Sequence, residues 1–157
     1  MLRILTLCHG NICRSPLAEV LIEAAIRADP NLSDRVAVSS AGTSNEHVGE
    51  GMHANSAAIL SARGLRTLHQ ARLFTPTMAA TLDLVLAADQ ANLRNGRDII
   101  RMADRQPEIR LLRDFDPTAV GRDLDDPWGY PPTEYERTAT EIASAIPGLL
   151  AELRDRI

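Results

Sequence analysis

The stretch Arg3-Ile4-Leu5-Thr6-Leu7-Cys8-His9-Gly10-Asn11-Ile12-Cys13-Arg14-Ser15-Pro16-Leu17 changes character twice. Arg3 to Leu7 reads as a short buried strand, Cys8 to Ser15 as a loop, and an amphipathic helix begins near Pro16. Leu17, Val20, Leu21, Ala24 and Ala28 recur at helical spacing and line one face, which requires a sheet to pack against. In such a loop, at the head of a helix, consecutive backbone N–H groups converge on an anion. Gly10 permits backbone angles that other residues avoid, and Asn11 tolerates the left-handed conformation.

The loop also carries a reactive pair. The helix dipole and Arg14 favour the thiolate of Cys8 and make it a nucleophile, and the Ser15 hydroxyl is able to donate to the same sulfur. Arg14 returns to the mouth of the loop, where its planar fork suits two phosphoryl oxygens. A cysteine and an arginine at this spacing are by themselves more often a buried thiol and a surface charge. With Gly10, Asn11, Cys13, Ser15 and Pro16 added, each residue has a separate task, and His9, Gly10, Asn11, Ile12, Cys13 and Ser15 read as a phosphate-binding loop.

Outward from this loop, Val36 to Ser39 reads as a second strand, Ser40 to Gly51 as a polar loop, and Asn55 to Arg63 as a helix stopped by Gly64. Thr75-Pro76 is an N-cap followed by proline at the first helical position; Leu82 to Ala87 is a third strand with a short helix after Asp89. Ile109 to Leu112 is a fourth strand, and the Asp, Gly and Pro residues from Arg113 to Pro132 make a long surface loop. Thr133 and Glu136 form a capping box at the head of the last helix, whose apolar stripe is Tyr135, Ala139, Ile142, Ile146, Leu149 and Leu153, with Pro147-Gly148 expected to kink or fray it. Strands alternating with helices imply a single α/β domain over 1–157, three layers with a four-stranded parallel sheet wound as in flavodoxin, and function at the C-terminal strand ends.

Composition sets the outer limits. Hydrophobic residues are 45% and charged residues 24% of the chain. No apolar run approaches the roughly 18 residues of a membrane span, and no export signal is visible, so the expected setting is cytoplasmic and away from membranes. A net charge of −4 argues against a nucleic-acid partner. All 17 basic residues are Arg, so phosphate recognition falls to Arg and backbone amides, and Arg with abundant Ala suits a GC-rich bacterial genome. The two cysteines are too few for a disulfide framework and are expected reduced, although oxidation offers a Cys8–Cys13 bond.

The Cys8 to Pro16 run closely resembles the signature of the low-molecular-weight protein tyrosine phosphatases. The likeness continues through Ser39-Ser40-Ala41-Gly42-Thr43, His69-Gln70-Ala71-Arg72, Asp83-Leu84-Val85-Leu86-Ala87 and Asp126-Pro127, in matching order. It implies hydrolysis of phosphotyrosine monoesters through a cysteinyl-phosphate, with no metal and no cofactor. Ser40 and His69 are then supports of Asn11 and the loop. The general acid has to be a carboxyl reaching over the loop. The residues alone leave Asp114, Asp116, Asp123, Asp125 and Asp126 open; the resemblance selects Asp126.

The chain departs from that family at the substrate rim. Glu46 stands where phosphotyrosine-directed members carry an aromatic wall, Trp128-Gly129 replaces a pair of tyrosines with Tyr130 next, and His9 takes a place often held by Leu or Thr. Relatives that hydrolyse phosphoarginine have Thr at the position of Ile12, so Ile12 favours phosphotyrosine. The implied partners are phosphotyrosine proteins or peptides, with phosphate or other oxyanions in the loop, acting on a monomer or weak dimer. Two rivals share the fold: an arsenate reductase, which needs cysteines beyond Cys13 that the chain lacks, and a noncatalytic phosphate-binding adaptor.

Overall fold

In the computed structural model, which describes residues 1–157, the first strand lies inside the sheet rather than at its edge. β1 (Leu2–Cys8) is flanked by β2 (Val36–Gly42) and β3 (Leu84–Ala87), with β4 (Glu108–Leu111) beyond β3, giving the order β2-β1-β3-β4. Every pairing is parallel; Cys8 is level with Gly42, and Leu7 with Ala87. The expected four-stranded parallel sheet is therefore present, with β2 running three residues further than Ser39, into what had read as loop.

Alternation along the strands sorts the core into two layers. Ile4, Cys8, Leu84 and Leu86 face α1 (Arg14–Arg27), α2 (Ala54–Ala62) and α5 (Pro132–Asp155). Leu5, Leu7 and Val85 face the side of α3 (Pro76–Ala79) and α4 (Gln90–Ile100), with Phe74, Ala79 and Ile100 among their neighbours. A strand buried on both faces needs an apolar residue at nearly every position, as β1 and β3 show. α1 is buried over a wider arc than the expected stripe, through Leu17, Ala18, Val20, Leu21, Ile22 and Ile26, because it also meets α2 and α5; Ala28 is exposed.

Three local expectations need correction. The capping box is absent: α5 begins at Pro132 with Pro131 as cap and no side-chain bond, because a proline at the first position has preset φ and no N–H to satisfy. α5 also runs unbroken through Pro147; Pro147 and Ala143, whose carbonyl the proline leaves without its helical donor, both lie on the exposed side, where that carbonyl is open to solvent. Gly148 lies against the chain at Phe115, and a Cβ there would stand 2.1 Å from the Phe115 carbonyl oxygen, so glycine allows close packing instead of fraying. The Thr75 cap does form, accepting from the Met78 N–H at 3.2 Å. Asp89 caps α4, an 11-residue helix longer than expected. No helix is long and apolar enough to cross a membrane.

Candidate active site

β1 delivers Cys8 to the C-terminal edge of the sheet, and the chain turns through His9 to Cys13 before α1 starts at Arg14. The turn depends on Asn11, the one non-glycine residue with positive φ (57°). Its backbone N–H points at the Cys8 sulfur (3.3 Å), and its carbonyl oxygen meets Nε2 of His69 at 2.6 Å. Its side-chain amide donates to Ser15 Oγ (2.7 Å) and Ser40 Oγ (3.0 Å) and accepts from the Arg72 N–H (3.0 Å). Every polar group of a fully buried residue is satisfied, so the left-handed turn is held from all sides. Ser40 and His69 lie behind the loop, against the side chain and the carbonyl of Asn11.

Gly10 does not use the backbone freedom expected of it. Its φ is not in the left-handed region; a Cβ would instead stand 2.9 Å from Cδ2 of His47. Gly42, level with Cys8 on β2, has the same role against the loop backbone, where a Cβ would lie 2.6 Å from the His9 carbonyl oxygen. The loop is then stitched to β2 by the Thr43 and Ser44 N–H groups donating to the Cys8 and His9 carbonyls, both at 2.9 Å.

Around the sulfur, Ser15 Oγ lies 3.0 Å from Cys8 Sγ. Arg14 is 3% exposed, and its Nη1 donates to Asp89 Oδ2 (2.7 Å) and to the Leu124 carbonyl (2.9 Å). Burial works against the Arg14 charge, but the charge of Cys8, the Asp89 hydrogen bond and the Asp126 and Asp89 carboxylates outweigh it and hold the guanidinium above its ordinary range. Its Nη2 lies 3.7 Å from Asp126 Oδ2, and Asp126 is half exposed. Burial pushes the Cys13 thiol up to about 11, with the nearby Asp126 and Cys8 adding to the rise against a hydrogen bond from Tyr135. Cys13 Sγ lies 3.5 Å from the Tyr135 hydroxyl, whose ring stacks on His53 at 4.9 Å between centroids.

One cleft gathers Cys8, His9, Gly10, Ile12, Cys13, Arg14, Asp126 and Trp128, together with Glu46 and His47. Of the five aspartates in the long loop, Asp126 alone lines it. Asp114 and Asp116 accept from nearby N–H groups in their own loop, at Gly121 and Thr118, and Asp123 accepts from the Gln90 N–H. Asp125 and Tyr130 line the neighbouring groove with Glu134 and Arg137, which shares Asp126 with the Cys8 cleft. Glu46 reaches across the mouth to His9, Oε1 to Nε2 3.5 Å.

Asp89 and His47 were not singled out from the sequence. Asp89 follows β3, so the rule that strand C-termini carry the site points to it, and its place as an N-cap concealed a second use. With its amide nitrogen turned toward Asp89 Oδ1 (2.9 Å), buried Asn92 accepts from the His9 N–H at 3.3 Å and joins α4 to the loop. His47 lies in a polar loop with no pattern that marks it.

A thiol and an arginine on one strand-to-helix loop, faced by a carboxyl at the switch edge of a parallel sheet, define a thiol-based oxyanion enzyme site by class. Residues 3–157 match the family described as low molecular weight phosphotyrosine protein phosphatase, and the chain belongs to that family. It is 37% identical over 157 residues to the low molecular weight protein-tyrosine-phosphatase of Streptomyces coelicolor, covering 99% of this chain and 95% of the relative. The low molecular weight protein tyrosine phosphatase from T. tengcongensis superposes with a TM-score of 0.82 at 26% identity, covering 97% of this chain and 99% of that one. An arginine phosphatase from Drosophila superposes at 0.84 with 25% identity over 96% of each chain.

Proposed function

We propose that the chain hydrolyses phosphotyrosine monoesters with Cys8 as nucleophile. The observation that carries this reading is one cleft holding Cys8, Arg14 and Asp126, with Arg14 held 2.7 Å from Asp89 and 3.7 Å from Asp126. The Cys8 thiolate attacks phosphorus as the bond to the tyrosine oxygen breaks, and the Asp126 carboxyl delivers its proton to that oxygen. Loop N–H groups and the Arg14 fork bind the phosphoryl oxygens and stabilise the charge in the transition state. Asp126, now a carboxylate, takes a proton from water; the water oxygen attacks phosphorus, the P–S bond breaks, and inorganic phosphate leaves with the thiolate restored. Asn11, Ser40 and His69 act as positioning residues for the loop, and the Ser15 hydroxyl stabilises the thiolate.

Ile12 lines the cleft and favours an aryl ester, so phosphoarginine is the comparison substrate of choice. The arsenate route is disfavoured because the chain's other cysteine, Cys13, is buried beside Tyr135 and has no third thiol to hand electrons on to. The test is hydrolysis of p-nitrophenyl phosphate without metal. The wild type is expected to turn over and Cys8→Ser to be inactive, whereas an inactive wild type favours the adaptor reading. Asp126→Ala is expected to slow esters with poor leaving groups far more than those with good ones; equal slowing removes Asp126 from the acid role.

A further inference from the structure

Asp126 has little of its own to hold it. Its side chain is half exposed, its hydrogen bond comes from the Trp128 N–H in the same turn at 3.2 Å, and Arg14 Nη2 stands 3.7 Å away. Residues 116–131 form no helix or strand, so the carboxyl stands where the backbone just ahead of it is fixed. That backbone is held closely. Leu124 is fully buried; its N–H donates to the Ala88 carbonyl at 2.8 Å, just past β3, and its carbonyl accepts from Arg14 Nη1 at 2.9 Å. Asp123 is held on two sides: Oδ1 accepts from the Gln90 N–H at the head of α4 (2.9 Å), and the carbonyl accepts from Nη1 of Arg113 (3.0 Å). Arg113 belongs to the 3₁₀ turn Leu112–Phe115 that follows β4, and its side chain is only 16% exposed. The same Nη1 stands 3.7 Å from Glu141 Oε2 on α5, a carboxylate that also pairs with Arg137 Nε at 3.3 Å. The Nε–H of Arg113 is buried without a partner, so this guanidinium keeps its place at a cost in desolvation, and what it reaches there is the Asp123 carbonyl.

From these contacts we infer that Arg113 is a positioning residue for the general acid: it ties the acid loop to α5 three residues ahead of Asp126 and so sets the reach of that carboxyl into the Cys8 cleft. The inference rests on the phosphomonoesterase reading above, in which Asp126 gives a proton to the leaving oxygen and later takes one from water. Such transfer needs heavy atoms within hydrogen-bond reach, and a displacement of about 1 Å is enough to forfeit much of the acid's contribution. Arg14 anchors the segment from the phosphate side and Arg113 from the helix side. Releasing the second anchor leaves Cys8, Arg14 and the loop N–H groups in place, so proton delivery weakens while phosphate binding persists.

The test compares kcat/KM for phenyl phosphate, whose leaving oxygen depends strongly on the acid, with that for p-nitrophenyl phosphate, whose leaving oxygen depends on it less. Arg113→Met keeps the aliphatic stem and removes the donors. It is expected to slow phenyl phosphate by roughly 10-fold and p-nitrophenyl phosphate by less than about 3-fold, with the inhibition constant of inorganic phosphate unchanged. Arg113→Lys, which restores a charged donor, is expected to recover most of the loss. In an Asp126→Ala background Arg113→Met is expected to add no further discrimination between the two esters, as two residues acting through one carboxyl require. Equal slowing of both esters, no change in either, or the same discrimination without Asp126 overturns the inference. If Arg113→Met does not fold, Asp123→Ala, at an exposed residue, opens the other side of the same clamp and is read by the same ratio. An Asp126→Ala variant that shows no discrimination of its own removes instead the acid role on which the inference rests, and a wild type that turns over neither ester removes the phosphatase reading itself.

Discussion

Replacing Asn11 with Ala tests whether the phosphate loop is a structure held against its own preference. The side chain makes three buried hydrogen bonds, to Ser15, Ser40 and the Arg72 N–H. Each contributes about 0.5–1.5 kcal/mol net. An alanine at φ 57° adds a conformational cost of roughly 1–2 kcal/mol that asparagine largely avoids. The expected loss is about 3–6 kcal/mol, which for a chain of this length lowers the melting temperature by roughly 6–24 °C. Asn11→Gly loses the same hydrogen bonds but keeps the dihedral, so it is expected to be more stable than Asn11→Ala by about 1 kcal/mol, the reverse of the order in a helix. Urea unfolding of the three proteins reads both numbers, and p-nitrophenyl phosphate turnover reads the loop. An alanine variant within about 1 kcal/mol of wild type, or as stable as the glycine variant, refutes this account of the loop.

Other expectations follow from the same contacts. Asp89→Asn retains the α4 cap but removes the charge beside Arg14, so kcat/KM is expected to fall by about 10-fold or more with little loss of helix stability. Asp89→Ala is expected to cost a further roughly 1 kcal/mol on unfolding because it also deletes the cap. Because burial raises the Cys13 thiol from 9.0 to about 11, the unfolded chain loses that proton first. Stability is therefore expected to fall as pH rises between those values. Cys13→Ala removes that contribution, so denaturation midpoints at pH 9 and 11 are expected to differ less in the variant than in wild type; an unchanged difference contradicts the assignment. Iodoacetamide at neutral pH is expected to modify Cys8 and spare Cys13, as peptide mapping by mass spectrometry reads.

Much of the fold was legible because β1 and β3 are buried on both faces and read as continuous apolar runs, while Gly64 and Thr75 punctuate the helices between them. The loop was legible because Cys8, Asn11, Arg14 and Ser15 are adjacent in sequence. The failures have a common origin in contacts between distant segments. Gly148 looked like a helix breaker because its neighbour, the Phe115 backbone, is far away along the chain. Thr133 and Glu136 had the spacing of a capping box, but Pro131-Pro132 started the helix first. Asp89 and His47 reach the cleft from the end of β3 and from an irregular loop, and neither carries a periodicity that reports where its side chain points. Tyr130, two residues after Trp128, lines the next groove from the turn closed by the Tyr130 N–H donating to the Pro127 carbonyl.

Direct observation of the phosphorylated sulfur tests the central claim. Asp126→Ala mixed with p-nitrophenyl phosphate, quenched early and mapped by mass spectrometry, is predicted to carry one phosphoryl group on the peptide containing Cys8. Turnover persisting in Cys8→Ser, or the phosphoryl group on any other residue, would contradict it.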